Sequence, residues 1–262
     1  MTMRGTRRAT FAPRLRAREA ICGLFVRTPR HEIVELLGST ALDFIVLDAE
    51  HAPFDRTSLD TCLLAAMAAD LPALVRIPEA RSPFLAAALD LGASGVLVPH
   101  VDDAATAAAV ARAARYGGPD SRGLSLSTRA AGYGRRSYEE HLAKANAEIL
   151  VICQIETPAA VTAASSIIAQ DGVDGLFLGR FDLAATSGIL PSDPSLDEAA
   201  AAMIAAAQTC AKPAGLIVGD VEGARAARAG GASIFVLGIE QAILRAEVSS
   251  RLQALRPAFE AT

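Results

Sequence analysis

The segment LDFIVLDAEH (residues 42–51) places three polar side chains, Asp48, Glu50 and His51, directly behind an apolar run. A strand with one wet face alternates apolar and polar residues, whereas a strand covered on both faces stays apolar. The run from Leu42 to Leu47 is therefore typical of a parallel strand buried on both sides. Its polar residues then stand at the carboxyl end of that strand.

The same pattern recurs along the chain, with room for a helix between successive runs. The predicted strands are Ile21–Val26, Leu42–Leu47, Ala73–Ile77, Gly95–Val98, Ile149–Ile155, Gly175–Gly179, Ala214–Val218 and Ile234–Gly238. Capping patterns at Thr57–Asp60 and Ser195–Glu198, and the acidic pair Asp102–Asp103, predict helix starts. Eight β–α units in about 250 residues match a closed barrel better than an open doubly wound sheet. We predict an α/β fold, a single-domain (β/α)8 TIM barrel over residues 11–262.

The composition excludes several classes of protein. Of 262 residues, 52% are apolar, but no apolar run approaches the roughly 20 residues needed to cross a bilayer. Residues 1–18 hold six arginines and no acid, so the rest of the chain is more acidic than the overall net charge of −4. An acidic body argues against nucleic acid as a partner, and no membrane contact is expected. Residues 1–10 are predicted to form a flexible basic arm that leads into a short helix. The alternative is an organelle transit peptide, whose arginine-rich composition this start partly shares.

The four cysteines, Cys22, Cys62, Cys153 and Cys210, are too widely spaced for a zinc knuckle or a dense disulfide framework. Reduced thiols in a cytoplasmic protein are the expected state.

The polar residues behind the strands are the candidates for chemistry, because barrel enzymes react at the carboxyl ends of their strands. They are Asp48, Glu50, His51, Arg76, His100, Gln154, Glu156, Arg180, Asp182 and Asp220. Lysine is absent from this set. A Schiff-base mechanism is therefore disfavoured.

Glu156 and Asp182 follow neighbouring strands, which lie about 5 Å apart. Two carboxylates there can converge on Mg²⁺ or Mn²⁺ and leave positions open for substrate oxygens. The alternative is that each carboxylate caps the helix that follows it.

The four histidines receive different interpretations. His51 is the only histidine close to several acids, and it is the candidate general base because a carboxylate can hold its imidazole. We expect His31 at a helix start and His141 on a solvated helix face, whereas for His100 a structural and a functional role both stay open.

The longest irregular stretch, residues 117–134, has three interpretations. It could be a surface excursion or contain a short strand at Gly123–Leu126. Because long loops are often functional, Arg122 or Arg129 could instead cover the site.

Several segments together resemble one family. They are LDFIVLDAEHAP (42–53), LVRIP (74–78), LDLGASGVLVPHV (89–101), SRG (121–123) with TRA (128–130), QIET (154–157) and VDGLFLGRFDLAATSG (173–188). The chain resembles the HpcH/HpaI metal-dependent class II pyruvate aldolases, which include 4-hydroxy-2-oxoheptanedioate and 2-dehydro-3-deoxyglucarate aldolases. The resemblance covers nearly the whole chain from about Phe11.

The resemblance implies a role for each matching residue. Glu156 and Asp182 would bind a divalent metal ion, Mg²⁺ or Mn²⁺ with Co²⁺ possible, and His51 would be the general base. Arg76 would stabilise the enolate and bind substrate.

Three further positions receive roles from the same family. Gln154 and the backbone around Phe181 and Asp182 would bind pyruvate. Asp90 matches an acid that raises the basicity of the histidine. Because it precedes the fourth strand, Asp90 would reach a histidine only in a neighbouring subunit. The resemblance thus implies a homo-oligomer, a hexamer or trimer of dimers.

Two positions depart from the family pattern. Gly179-Arg180-Phe181-Asp182 stands where Gly-Pro-Ala-Asp or Gly-Pro-Gly-Asp is usual, and Ala49 replaces a glycine. The first change puts the substrate scope in question, since Arg180 could contact an anionic substrate or face outward.

The implied activity is aldol cleavage or formation of a 4-hydroxy-2-oxo acid through a pyruvate enolate, with an oxo acid and an aldehyde as small-molecule partners and without an organic cofactor. Alternatives are a lyase acting on a CoA thioester of the malyl-CoA type, a non-catalytic relative that binds an oxo acid, and a phosphate-handling barrel. The acidic segments after strands seven and eight disfavour the last.

Overall fold

The eight strands form one closed parallel barrel in chain order. The structure is a computed structural model that describes residues 6–80 and 82–260. The strands are β1 Ile21–Val26, β2 Phe44–Asp48, β3 Ala73–Arg76, β4 Gly95–Val98, β5 Leu150–Ile155, β6 Gly175–Leu178, β7 Ala214–Ile217 and β8 Ile234–Ile239. The predicted (β/α)8 barrel is confirmed, and each strand end lies within two residues of its predicted position.

Both faces of the strands are buried, which explains their continuous apolar sequence. Along β2, Phe44 and Val46 belong to the cluster inside the barrel, whereas Ile45 and Leu47 pack against the surrounding helices. Because successive side chains point to opposite faces, two cores require apolar residues at every position.

The helices connect the strands and cover the barrel. They are α1 Arg7–Arg16, α2 His31–Gly38, α3 Arg56–Ala68, α4 Phe84–Asp90, α5 Ala104–Ala113, α6 Tyr138–Glu148, α7 Pro158–Ile168, α8 Arg180–Ser187, α9 Ser195–Thr209, α10 Val221–Gly230 and α11 Glu240–Glu260. None of the described helices combines the length and the apolar character that a membrane crossing requires.

The helix starts were predicted with mixed success. Asp103 caps α5 through its carboxylate, as predicted. The start of α3 was predicted two residues late, because Asp55 forms the capping box with Ser58. At α9 the cap position is Pro194, one residue before the predicted serine.

Helix α1 closes the amino-terminal end of the barrel. Phe11 and Leu15 are buried in the interior cluster, and the ring of Phe11 lies 5.4 Å from that of Phe44. Arg7 donates hydrogen bonds to the carbonyls of Gly38 and Ala69, at 2.9 and 2.7 Å. Residues 7–10 of the predicted flexible arm are therefore helical, because buried contacts hold them, and residues 1–5 lie outside the described residues.

The irregular stretch packs near the same amino-terminal end, and residues 123–126 form no strand. Arg122 lies 3.3 Å from Asp90 at the end of α4, and Arg129 forms an ion pair with Asp60. The prediction that Arg122 or Arg129 covers the reaction site of its own chain is wrong. Both arginines pack at the amino-terminal end of the barrel, whereas the candidate residues for chemistry lie at the carboxyl ends of the strands. The solvated position predicted for His141 is also wrong, since its ring is buried against Tyr116.

Candidate active site

A buried ion pair links the ends of β2 and β3. The guanidinium of Arg76 donates to both oxygens of Asp48, at 2.9 and 2.7 Å, and Arg27 donates to Oδ2 at 2.6 Å. Burial alone would raise the pKa of Asp48, but hydrogen bonds and charge from Arg76, followed by the bond from Arg27, hold it below its usual value. Asp48 therefore stays ionised and fixes the plane of the Arg76 guanidinium.

Glu50 brings a second carboxylate to the same place. Its Oε2 lies 3.2 Å from Arg76 Nε and its Oε1 lies 3.4 Å from His100 Nε2. Oε2 is buried and has no hydrogen-bond partner among the described residues. Burial raises the pKa of Glu50 to about 7, and Arg76 opposes this rise.

Glu156 at the end of β5 is buried and held by its neighbours. Its Oε1 accepts a 2.6 Å hydrogen bond from the backbone N–H of His100 and lies 2.9 Å from His100 Nδ1. The amide of Gln154 donates to Oε2. Burial raises the pKa of Glu156, and the negative charge of Asp182 adds to the rise.

Close packing explains the glycine before α8. A Cβ at Gly179 would lie 2.8 Å from Glu156 Cβ and 2.7 Å from the Gln154 amide. Only glycine lets the start of α8 approach Glu156 this closely. Asp182 lies in the first turn of that helix and is half-buried, while Phe181 beside it is exposed.

His51 stands at the edge of this cluster with its side chain 45% exposed. Its backbone N–H donates to Asp48 Oδ1 at 3.2 Å, whereas its ring nitrogen Nε2 lies 4.0 Å from Glu50 Oε2. Burial lowers its pKa, and the positive charge of Arg76 lowers it further. Both Asp48 side-chain oxygens bond to arginines, so of the acids close to His51 in the sequence, Glu50 is the one near its imidazole.

The structure gathers Arg76, Gln154, Glu156 and Asp182 near His51, all at the carboxyl ends of the strands. Asp90 lies apart from this group in the same chain, at the end of α4, where it pairs with Arg122. His100 joins the group through Glu156 and Glu50. His31 begins α2, as expected.

Two residues of the site, Arg27 and Glu50, have contacts that the sequence did not indicate. Arg27 directly follows β1 and Glu50 was noted behind β2, but neither received a role. The signal for Arg27 was its position behind a strand, the same signal that selected Arg76. Within the described residues, no group of three or more His, Cys, Asp or Glu side chains could hold a metal ion. The predicted metal ligands, Glu156 and Asp182, are only two residues, so this finding does not concern them.

Arg180 turns away from the cluster. Its Nε donates to the carbonyl of Pro191 at 2.9 Å, and its Nη1 contacts Asp197 at 2.5 Å. The guanidinium thus joins α8 to the start of α9, which agrees with the outward-facing alternative.

Replacing Arg180 with alanine is expected to leave substrate choice unchanged. Because the guanidinium binds Pro191 and Asp197, its removal takes no positive charge from the reacting end. The ratio of kcat/KM for a charged and an uncharged aldehyde should change less than about threefold. A selective loss of about tenfold for the charged aldehyde, about 1.4 kcal/mol, would show that Arg180 contacts substrate.

The sequence profile of the HpcH/HpaI aldolase/citrate lyase family matches residues 22–246. The chain belongs to this family. The resemblance noted in the sequence is thereby confirmed.

Relatives in this family carry aldolase names. The chain is 34% identical over 228 residues to a 5-keto-4-deoxy-D-glucarate aldolase of Klebsiella pneumoniae, a match that covers 86% of this chain and 87% of the relative. It is 34% identical over 235 residues to a 4-hydroxy-2-oxovalerate aldolase of Novosphingobium aromaticivorans, with 88% of each chain covered. These names agree with the predicted lyase activity.

A solved structure agrees with the fold of the whole chain. A HpcH/HpaI aldolase/citrate lyase family protein from Burkholderia cenocepacia J2315 matches with a TM-score of 0.87 and 32% identity, covering 94% of this chain and 99% of that one.

Proposed function

We propose that the protein is a divalent-metal-dependent aldolase that cleaves or forms 4-hydroxy-2-oxo acids through a pyruvate enolate. The observation that carries this proposal is the convergence of Glu156, Asp182, Arg76 and His51 at one end of the barrel. This set contains anionic oxygens for a cation, a fixed positive charge for an enolate and a base for a hydroxyl proton. Membership of an aldolase family supports the same reaction type.

The donor atoms fit a hard divalent cation. Burial raises the pKa of Glu156 and of Glu50, and the neighbouring carboxylates add to the rise, so a bound cation would stabilise their ionised forms. Glu156 and Asp182 would hold Mg²⁺, Mn²⁺ or Co²⁺, and the bound ion would polarise the oxo acid and stabilise enolate charge.

The Arg76 guanidinium is positioned to stabilise the negative charge that develops on the enolate oxygen. Asp48 occupies Nε and one N–H of Nη2, which leaves Nη1 for a substrate oxygen. The ring of Phe25, 5.0 Å from the guanidinium carbon, packs beneath it. Because the guanidinium is already oriented, it needs no rearrangement when the enolate oxygen gains charge.

His51 is suited to remove the C4 hydroxyl proton during cleavage. Its pKa is lowered, so the imidazole is neutral near pH 7 and can accept a proton at a ring nitrogen. The proton on the imidazole would return to the aldehyde oxygen in the reverse, bond-forming direction. Gln154 would orient Glu156, and backbone groups around Phe181 would bind the pyruvate carboxylate.

The direct test is to measure pyruvate release from a panel of 4-hydroxy-2-oxo acids with Mg²⁺, Mn²⁺ and Co²⁺. We expect metal-dependent release from at least one of them. Release from a malyl-CoA-type thioester alone would instead support the CoA-thioester lyase. Saturable binding of an oxo acid with no turnover of any substrate would indicate the non-catalytic relative.

We also propose a homo-oligomer, a hexamer or trimer of dimers, in which α11 packs on a neighbouring copy. This 21-residue helix buries none of its side chains in the single chain. It carries an apolar stripe, hereafter the α11 stripe: Ile243, Leu244, Val248, Leu252, Leu255 and Phe259. Ile217 of β7 and Leu237 of β8 are exposed as well. Exposed apolar faces of this extent are typical of subunit interfaces.

An oligomer would also explain how Asp90 could take part in the reaction. Asp90 is separated from His51 in its own chain, so we propose that it acts on His51 of a neighbouring copy.

The four cysteines are free thiols, which fits the cytoplasm proposed for the enzyme.

The double substitution Leu244→Asp/Leu252→Asp should dissociate the oligomer, because it places two charges in the α11 stripe. Light scattering after gel filtration should show a mass of several chains for the wild type and a smaller species for the variant. Ser250→Asp/Gln253→Asp adds the same charge on the side of the helix opposite Leu244, Val248 and Leu252, and should leave the mass unchanged. A monomeric wild type would contradict the proposal.

A further inference from the structure

A cavity of about 340 Å³ lies at the amino-terminal end of the barrel, away from the candidate active site. Its walls are α1, the end of α4 with the segment before β4, the irregular stretch and α6. Its size falls within the range of about 300–1,000 Å³ that is usual for small-molecule sites. Of the residues placed in the proposed reaction, Asp90 is the one that lies beside this cavity, where it contacts Arg122.

The lining of this cavity is strongly cationic. It contains the side chains of Arg8, Arg122, Arg129, Arg136 and Lys144, but only one acid, Glu148. Asp60, Asp70 and Asp90 lie outside the lining and act on three of these arginines. With these acids included, the cavity retains an excess of positive charge.

Several buried donors in the lining have no partner among the residues described. They are Nε and Nη1 of Arg122, Nη1 of Arg8 and Nδ1 of His141, whose hydrogen depends on the tautomer. The Arg122 side chain is only 1% exposed. Buried guanidinium N–H groups without an acceptor are costly, so these groups are suited to bind an anionic ligand.

Neighbouring groups hold the two arginines in place. Tyr116 stacks on the Arg122 guanidinium at 4.2 Å and accepts a hydrogen bond from it, and Asp90 contacts the same Nη2. Arg8 donates from Nη2 to the carbonyl of Gly92 at 2.9 Å. Each arginine is thus anchored through one nitrogen and presents another without a partner. Preorganised donors of this kind bind anions without losing much side-chain freedom.

We propose that this cavity, the amino-terminal anion pocket, binds a small molecule with two anionic groups, each a carboxylate or a phosphate. Arg8 on α1 and Arg122 on the irregular stretch offer donors from different elements, which suits a ligand with two charged ends. Nε and Nη1 of Arg122 point to different sides of its guanidinium, so each can donate to a separate oxygen of the ligand. The binding proposal does not rest on the proposed function, because the ligand would not contact Arg76, Glu156 or His51 of the same chain.

Binding should be measured by calorimetry at constant ionic strength, without added divalent metal. Succinate probes a dicarboxylate and pyrophosphate probes two phosphoryl groups, so the two titrations distinguish the anionic groups. We expect saturable binding of at least one probe, with one site per chain. Arg8→Gln and Lys144→Gln should each weaken it at least tenfold, and the probe should raise the Tm of the wild type more than that of either variant.

Two matched controls locate the binding site. Arg135→Gln removes a positive charge from an exposed residue of the same stretch outside the lining, and should bind as the wild type does. Arg76→Lys alters the candidate active site and should also retain binding. The proposal fails if neither probe saturates, if Arg8→Gln and Lys144→Gln both bind normally, or if Arg76→Lys abolishes binding.

Discussion

Glu156→Gln is expected to weaken the binding of Mg²⁺ by about 100-fold, about 2.7 kcal/mol, and to lower kcat/KM at least as much. The substitution keeps the size of the side chain and an oxygen that can accept from the His100 backbone N–H. It removes one of the two carboxylate charges proposed to hold the cation, so the loss reports charge and not packing. Calorimetry with Mg²⁺ and an assay of pyruvate release measure the two effects separately.

Chelation and pH extend the same prediction. Exhaustive treatment with a chelator should abolish activity, and Mn²⁺, Mg²⁺ or Co²⁺ should restore it. Because burial raises the pKa of Glu156, protons compete with the cation, and the Kd for Mg²⁺ should rise as the pH falls from about 8 to about 6. Glu139→Gln removes an exposed charge on α6 and should change neither quantity. Full activity after chelation would contradict the metal role.

The barrel could be predicted because its signal is local. Each strand needs apolar residues on both faces, so Phe44–Leu47 and Gly95–Val98 show their burial in their own sequence. The polar residues behind the strands follow from the same rule, which is why Arg76, Glu156 and Asp182 were found. The family resemblance then supplied their expected roles.

The partners of those residues could not be predicted, because they depend on distances between strands. The sequence placed several acids close to His51, but it did not show that two arginines take the oxygens of Asp48 through three short hydrogen bonds. His100 reaches Glu156 because its backbone adopts a positive φ of 54°, which no sequence pattern indicated. Likewise, Arg180 pairs with Asp197, seventeen positions later in the chain.

Long-range packing also determined the amino-terminal end. The six arginines of residues 1–18 suggested a solvated arm, since clustered charge usually stays in water. In the structure, Arg7 instead donates to the carbonyl of Ala69, just after α3, and Arg8 donates to the carbonyl of Gly92, just after α4. Guanidinium groups can satisfy several carbonyls at once, so a basic segment can form a packed layer.

Arg76→Lys is expected to lower kcat by about 100- to 1,000-fold, roughly 3–4 kcal/mol, although the positive charge is kept. An ammonium cannot donate to both oxygens of Asp48 and also present a third, fixed donor to the enolate. Arg27→Lys is the matched control: Arg27 makes one hydrogen bond to Asp48, which an ammonium can replace, so kcat should fall less than tenfold. Circular dichroism and the Tm of both variants separate catalysis from unfolding. A folded Arg76→Lys enzyme with near wild-type kcat would remove Arg76 from the mechanism. The proposed role needs several fixed N–H donors, which a lysine cannot supply even though it keeps the charge.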